Sequence, residues 1–184
     1  MLTELVYPLN INSSIYDIIP EIEKYKIKEP GVKLYSPDIL DPKWKIFEGV
    51  TWDYISIFYK ANNFRPKVAH IDIDEPENNK SWSINIHLDG AGLLEIYNFE
   101  DIIRQKRCLN GTDCSVHGEP MKSYYMPEGA YLINSFYPHR ATGYGERFCV
   151  SLRSRSTFNI EFEDIYNKFK DYIIDKPLLT KAPD

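Results

Sequence analysis

The chain is poor in the residues that usually advertise a site. Its 184 residues hold four histidines (70, 87, 117 and 139) and three cysteines (108, 114 and 149). Three thiols cannot all pair, which fits a reducing compartment. No CxxC knuckle is present. The stretch Cys108-LNGTD-Cys114-SV-His117 offers three soft ligands beside a glycine and is read as a surface loop with free thiols, a small zinc site or transient disulfide being the alternative. No apolar run approaches membrane-spanning length, and the acidic N-terminus does not resemble a signal peptide, so a cytoplasmic protein without a membrane partner is expected. Positive charge is not in excess either. With 22 Lys and Arg against 27 Asp and Glu, the net charge of -5 speaks against broad phosphate-backbone contact, and nucleic acid is not an expected partner. Internal repeats, low-complexity tracts and interdomain linkers are also missing, so residues 1–184 are expected to form a single domain.

What is present is an ordinary globular composition, 43% hydrophobic and 27% charged, with a generous 14% aromatic share that suits sheets and lined pockets. LTELVYPL (2–9) reads as an opening strand. Ser13 or Ser14 is placed to cap a helix through SIYDIIPEIEKYK, kinked or shortened by Pro20. Residues 30–50, rich in proline and turn formers, are expected to wrap the surface. Then come TWDYISIFYK (51–60), KVAHIDID (67–74), SWSINIHLD (81–89), LLEIYNF (93–99), GAYLINSF (129–136) and RFCVSLRS (147–154). All are short runs of β-branched and aromatic residues, mostly separated by Gly, Pro or Asn. In 160–174 the apolar positions Phe162, Ile165, Phe169, Tyr172 and Ile173 have helical spacing. The expected fold is mainly β, a jelly roll or cupin-like sandwich with a core over roughly 51–154 and helices from both ends braced on one sheet.

Within VAHIDID, His70 and Asp72 are two apart and share a strand face, with Ala69, Ile71 and Ile73 on the other. His139 follows 67 positions after Asp72, in INSFYPHRATGYGERFCVSLR, where the Gly143–Gly145 region is expected to turn between two strands. Two histidines and a carboxylate on one face of a metal are the ligand set of non-haem iron oxygenases. In this H-x-D, distal His and following Arg the chain resembles the iron(II)- and 2-oxoglutarate-dependent dioxygenases, over roughly residues 66 to 153.

The resemblance implies a double-stranded β-helix core with Fe(II) held by His70, Asp72 and His139. It also implies 2-oxoglutarate as cosubstrate, its far carboxylate clamped by Arg147, eight positions after the distal His, with Ser151 on the same carboxylate as in the prolyl-hydroxylase branch. Arg153, fourteen after His139, matches the gap of other branches; Arg147 is preferred. A rival pair, His87-Leu88-Asp89, ends in LDGAG and is read as a strand end with a hairpin turn. Ser83, Asn85 and His87 share one strand face, and this polar stripe either lines the cosubstrate pocket or faces solvent.

The implied activity is hydroxylation of an amino acid, free or in a peptide, with O2, coupled to conversion of 2-oxoglutarate to succinate. Tyr124, Tyr125, Tyr131, Tyr137 and Tyr144 either line the cavity or pack, and Arg140 is expected at the surface. The competing expectations are a cupin-like binding module without oxygenase activity and a zinc hydrolase using the same triad.

Overall fold

The computed structural model describes residues 4–60, 69–72, 81–108, 111–154, 157 and 159–182; of KVAHIDID, therefore, Val68 and Ile73 lie outside the described residues, as does the EPENNK segment. Near the N-terminus, strand β1 (Val6–Leu9) leads to Ser14, whose hydroxyl accepts from the Asp17 amide while the Asp17 carboxylate accepts from the Ser14 amide. This reciprocal cap starts α1 (Ile15–Ile18). Pro20, which has no N–H to give, separates it from α2 (Ile22–Tyr25), so the expected helix is two single turns.

The expected surface wrap at 30–50 instead contains an edge strand, β2 (Gly31–Tyr35), and a tight hairpin of β3 (Ile46–Phe47) and β4 (Val50–Thr51). Glu48 and Gly49, with φ of 50° and 72°, make its turn. Beyond β5 (Tyr54–Lys60) and β6 (Ala69–Ile71) runs β7 (Trp82–Ile96), fifteen residues long. The hairpin expected at LDGAG is therefore absent, and the strand passes straight through, with Gly90 at φ 68°.

Cys108 and Cys114 likewise stand on paired strands, β8 (Ile102–Cys108) and β9 (Gly111–Val116), which run antiparallel; Leu109 and Asn110 lie outside the described residues. Then follow β10 (Lys122–Met126), β11 (Gly129–Asn134) and β12 (His139–Arg153). The turn expected at Gly143–Gly145 is a bulge inside β12. Its register slips between Tyr144, opposite Ala91, and Phe148, opposite Asp89, and Gly145 takes φ 82°. Both corrections have one cause. Glycine marks a bend or bulge in a long strand as readily as the end of a short one.

All pairings are antiparallel and the sheet does not close into a barrel. Strands β7 and β12 pair along most of their length and belong to two half-sheets. The first half runs β1–β11–β7–β12–β5–β2, using Trp82–His87 of β7 and Phe148–Arg153 of β12. The second runs β10–β7–β12–β6–β9–β8, using Gly92–Ile96 and His139–Gly143.

Alternation sorts the side chains. Ile55, Ile57, Ile84, Ile86, Leu132, Val150 and Leu152 face outward from the first half into the main core, where Ile18, Ile19 and Ile22 cover them. Helix α3 (Phe162–Phe169) adds Ile165 and Phe169, both fully buried and each contributing roughly 1.5–3 kcal/mol by burial. The helices are thus braced on one sheet, as the sequence suggested. Behind the second half, Ala69, Ile71, Cys114 and Tyr97 form a smaller cluster. The inner faces of both halves are left to line a cavity. Among the described residues no helix is long and apolar enough to cross a membrane.

Candidate functional site

Strand register assembles the site. On β6 and β12, His70 and His139 are direct cross-strand partners, and their rings lie 4.3 Å apart. Asp72, two residues past His70, points to the same side. Its Oδ1 lies 3.3 Å from His70 Nε2 and 3.7 Å from His139 Nε2. Among the described residues this is the sole group of three or more His, Cys, Asp or Glu placed to share an ion, one ligand atom from each lying within 4.8 Å of the others.

Ligand atoms at about 2.0–2.2 Å from a metal are themselves about 3–3.5 Å apart, so small side-chain adjustments would bring the three onto one ion. The tautomer of His139 suits this. Its Nδ1 donates to the Tyr137 carbonyl at 2.9 Å, leaving the Nε2 lone pair toward Asp72. Burial first, then His70, push the His139 pKa down to about 4 against the pull of Asp72, so the ring is neutral, as ligation requires. Asp72 and His139 have side chains only 7% and 9% exposed, whereas His70 is 40% exposed and marks the open side.

Two buried arginines of β12 flank the triad in different electrical states. Arg153 Nη1 donates to Asp72 Oδ2, and its Nε donates to Ser151 Oγ at 3.1 Å. Burial would raise the Asp72 pKa, but Arg153 and the two histidines together hold it well below the usual carboxylate range. One oxygen, Oδ1, is left to the triad. Arg147 has no carboxylate partner among the described residues. Its Nη2 donates to His87 Nε2 at 2.9 Å, and its Nε, though buried, has no partner among the described residues. Gly92 lets the guanidinium lie across β7, where an added Cβ would come 3.0 Å from Arg147 Cζ.

Between the half-sheets lies a pocket enclosing about 560 Å³ of empty space, open solvent at its mouth included. His70, Asp72, His139, Arg147 and Arg153 all line it, as do Ser83 and Asn85 from β7. The polar stripe of β7 therefore faces inward. Ser83 Oγ and Asn85 Oδ1 are buried there without hydrogen-bond partners among the described residues. Leu94, Met126, Ile133 and Phe58 supply apolar walls that motif reading had not singled out, though strand alternation carried the signal.

Some expectations are placed elsewhere. Ser151 is fully buried and serves Arg153 rather than Arg147. His87 and Asp89 do not form a second chelating pair, since His87 engages Arg147 and the Met126 carbonyl. Described tyrosines brace the fold: Tyr124 bonds to Glu4 and Tyr131 to the Pro127 carbonyl, while Tyr137 packs on Phe99 and Phe136. The Tyr144 side chain lies outside the described residues. Arg140, expected at the surface, is half-buried in an ion pair with Glu95 at 2.7 Å and a hydrogen bond to Tyr97. Cys114 is buried in β9, and the Cys108 side chain lies outside the described residues.

No family model and no curated protein matches the chain. Among solved structures, the chain is similar to the X-ray structure of E. coli ycfD, at 15% identity and a TM-score of 0.41, over 77% of this chain and 38% of that one. It is also similar to Peruvianin-I, a cysteine peptidase from Thevetia peruviana latex, at 12% identity and a TM-score of 0.31, over 83% and 91% of the two chains. The chain thus spans 38% of the length of the first, and likenesses this distant leave the function to be argued from the site itself.

Proposed function

We propose that the chain is an Fe(II)- and 2-oxoglutarate-dependent oxygenase that hydroxylates an amino acid, free or within a peptide, and that its two half-sheets form a double-stranded β-helix. One observation carries the reading: a His-Asp-His metal set shares its cavity with a buried guanidinium that no described carboxylate neutralises. An unpaired buried cation is costly unless an anion completes it. A dicarboxylic keto acid fits, one end on the metal and the other on Arg147.

His70, Asp72 and His139 would hold the iron on one face, leaving the opposite positions open. When bound, iron with O2 and 2-oxoglutarate supplies the oxidation, in which CO2 is lost, one oxygen atom enters succinate and the other enters the product as hydroxyl. The chain's part is orientation and a dry site. The Tyr137 carbonyl fixes the His139 ring, and Arg153 holds Asp72 so that only Oδ1 faces the triad. Arg147 offers charge-assisted donors to a carboxylate, and the Ser83 hydroxyl and Asn85 amide line the same cavity. Leu94, Met126 and Ile133 keep water from the walls.

A zinc hydrolase in the same triad would need a general base beside the open position. Asp72 is the sole carboxylate among the described lining residues, and Arg153 and the histidines already engage it. The test is conversion of 2-oxoglutarate to succinate by purified protein, with and without Fe(II). Turnover that requires iron supports the reading. A folded, iron-loaded protein that neither turns over nor binds 2-oxoglutarate overturns it.

A further inference from the structure

His87 sits in the middle of β7, 2% exposed, with both ring nitrogens engaged. Nδ1 donates to the Met126 carbonyl on β10 at 3.2 Å, and Nε2 accepts from Arg147 Nη2 at 2.9 Å. Packing alone would be served by an apolar residue here, since the ring's other neighbour is Tyr131, 5.3 Å between ring centres. What sets the contact apart is the pairing of a buried cation with a neutral acceptor. Arg153, on the same strand as Arg147, shows the alternative: Asp72 neutralises it and leaves it little charge for a ligand. An imidazole can grip a guanidinium by one N–H without cancelling its charge. Burial, and next the Arg147 charge itself, hold the His87 pKa well below its ordinary value, so the accepting lone pair persists at neutral pH. From the other side Gly92 gives the guanidinium room to lie against β7.

We propose that His87 is a positioning residue, which aims the Arg147 guanidinium at the cosubstrate's far carboxylate while leaving its charge intact. This rests on the oxygenase reading above. Tethered between Met126 on β10 and Arg147 on β12, the ring fixes the guanidinium plane, with the buried Nε left without a hydrogen-bond partner among the described residues. Bidentate carboxylate recognition depends on that plane, so a loosened guanidinium loses affinity although its charge remains.

The experiment is calorimetric titration of 2-oxoglutarate into protein loaded with redox-inert Mn(II), for wild type, His87→Gln, His87→Asn and Arg147→Ala. Both amides keep a polar group at 87, which protects folding; the Gln side chain reaches Arg147 and the Asn side chain stops short. Expected are Gln within about threefold of wild type, Asn weaker by tenfold or more, unchanged Mn(II) affinity in both, and no effect of His87→Asn once Arg147 is Ala. Equal binding by wild type, Gln and Asn overturns the proposal, as does a His87→Asn loss that persists without Arg147. Wild-type protein that takes up Mn(II) but no 2-oxoglutarate removes the oxygenase reading, and the role of His87 with it.

Discussion

Arg153, the last residue of β12, donates to Asp72, the residue just past β6, joining the two half-sheets through a pair with side chains only 8% and 7% exposed. Breaking a buried pair from one side leaves the other charge stranded. Asp72→Ala should therefore destabilise the metal-free protein by about 3–5 kcal/mol. The double variant Asp72→Ala/Arg153→Met should recover much of that loss. Urea denaturation followed by circular dichroism measures both, and equal stability of the single and double variants would refute the pairing argument.

His139→Ala removes the most deeply held imidazole of the triad without stranding a charge. Mn(II) or Fe(II) affinity should fall at least 100-fold, while the far-ultraviolet spectrum is retained. Calorimetry reads the affinity; tight binding in the variant would mean that the ion sits elsewhere.

Arg147 and Arg153 can be separated by the dependence of turnover on 2-oxoglutarate concentration. Arg147→Ala should raise the concentration required by two orders of magnitude or so. Arg153→Ala should act mainly through Asp72, weakening metal binding and stability. The reverse pattern would transfer the clamp to Arg153.

Gly92→Ala offers a gentler probe, because its methyl group would press on the guanidinium end of Arg147. Binding of 2-oxoglutarate should weaken about tenfold while metal affinity and the fold stay put. Affinity unchanged from wild type would show that the guanidinium does not need its present place.

Acid should destabilise the metal-free protein in a specific window. His87 and His139 are depressed in the folded state, the latter to about 4, while the unfolded chain protonates them near 6.5. The unfolded state thus binds more protons as pH falls below about 6.5, and stability drops by about 1.4 kcal/mol per pH unit for each histidine. Above that pH the effect is absent. Denaturant midpoints between pH 7 and 4.5 test this, and His87→Gln should have roughly half the slope.

The lines of the site were legible where alternation was short-range. His70 and Asp72 fall on one face of any strand, and the Ser83–Asn85–His87 stripe needed only a decision about which face is inside. The continuity of β7 and β12 was not legible, because Gly90, Gly92, Gly143 and Gly145 read as punctuation when the bends they permit depend on the partner strand. β8 and β9 were not legible because their charged and small residues (Arg104, Lys106, Asp113) sit on a poorly covered part of the sheet, where pairing rather than burial defines the strand. The resemblance implies a cosubstrate role for Ser151; that its hydroxyl accepts from Arg153 is a contact between side chains that no sequence pattern carries.

Because β12 supplies His139, Arg147 and Arg153 and also pairs with β5, β6 and β7, nothing resembling a site exists until this late segment has threaded between strands made much earlier. Such distant pairings slow folding, and His139 must be docked beside His70 before an ion could be captured. An ion placed on the triad would accordingly follow the docking of β12 on β6 and could not nucleate it.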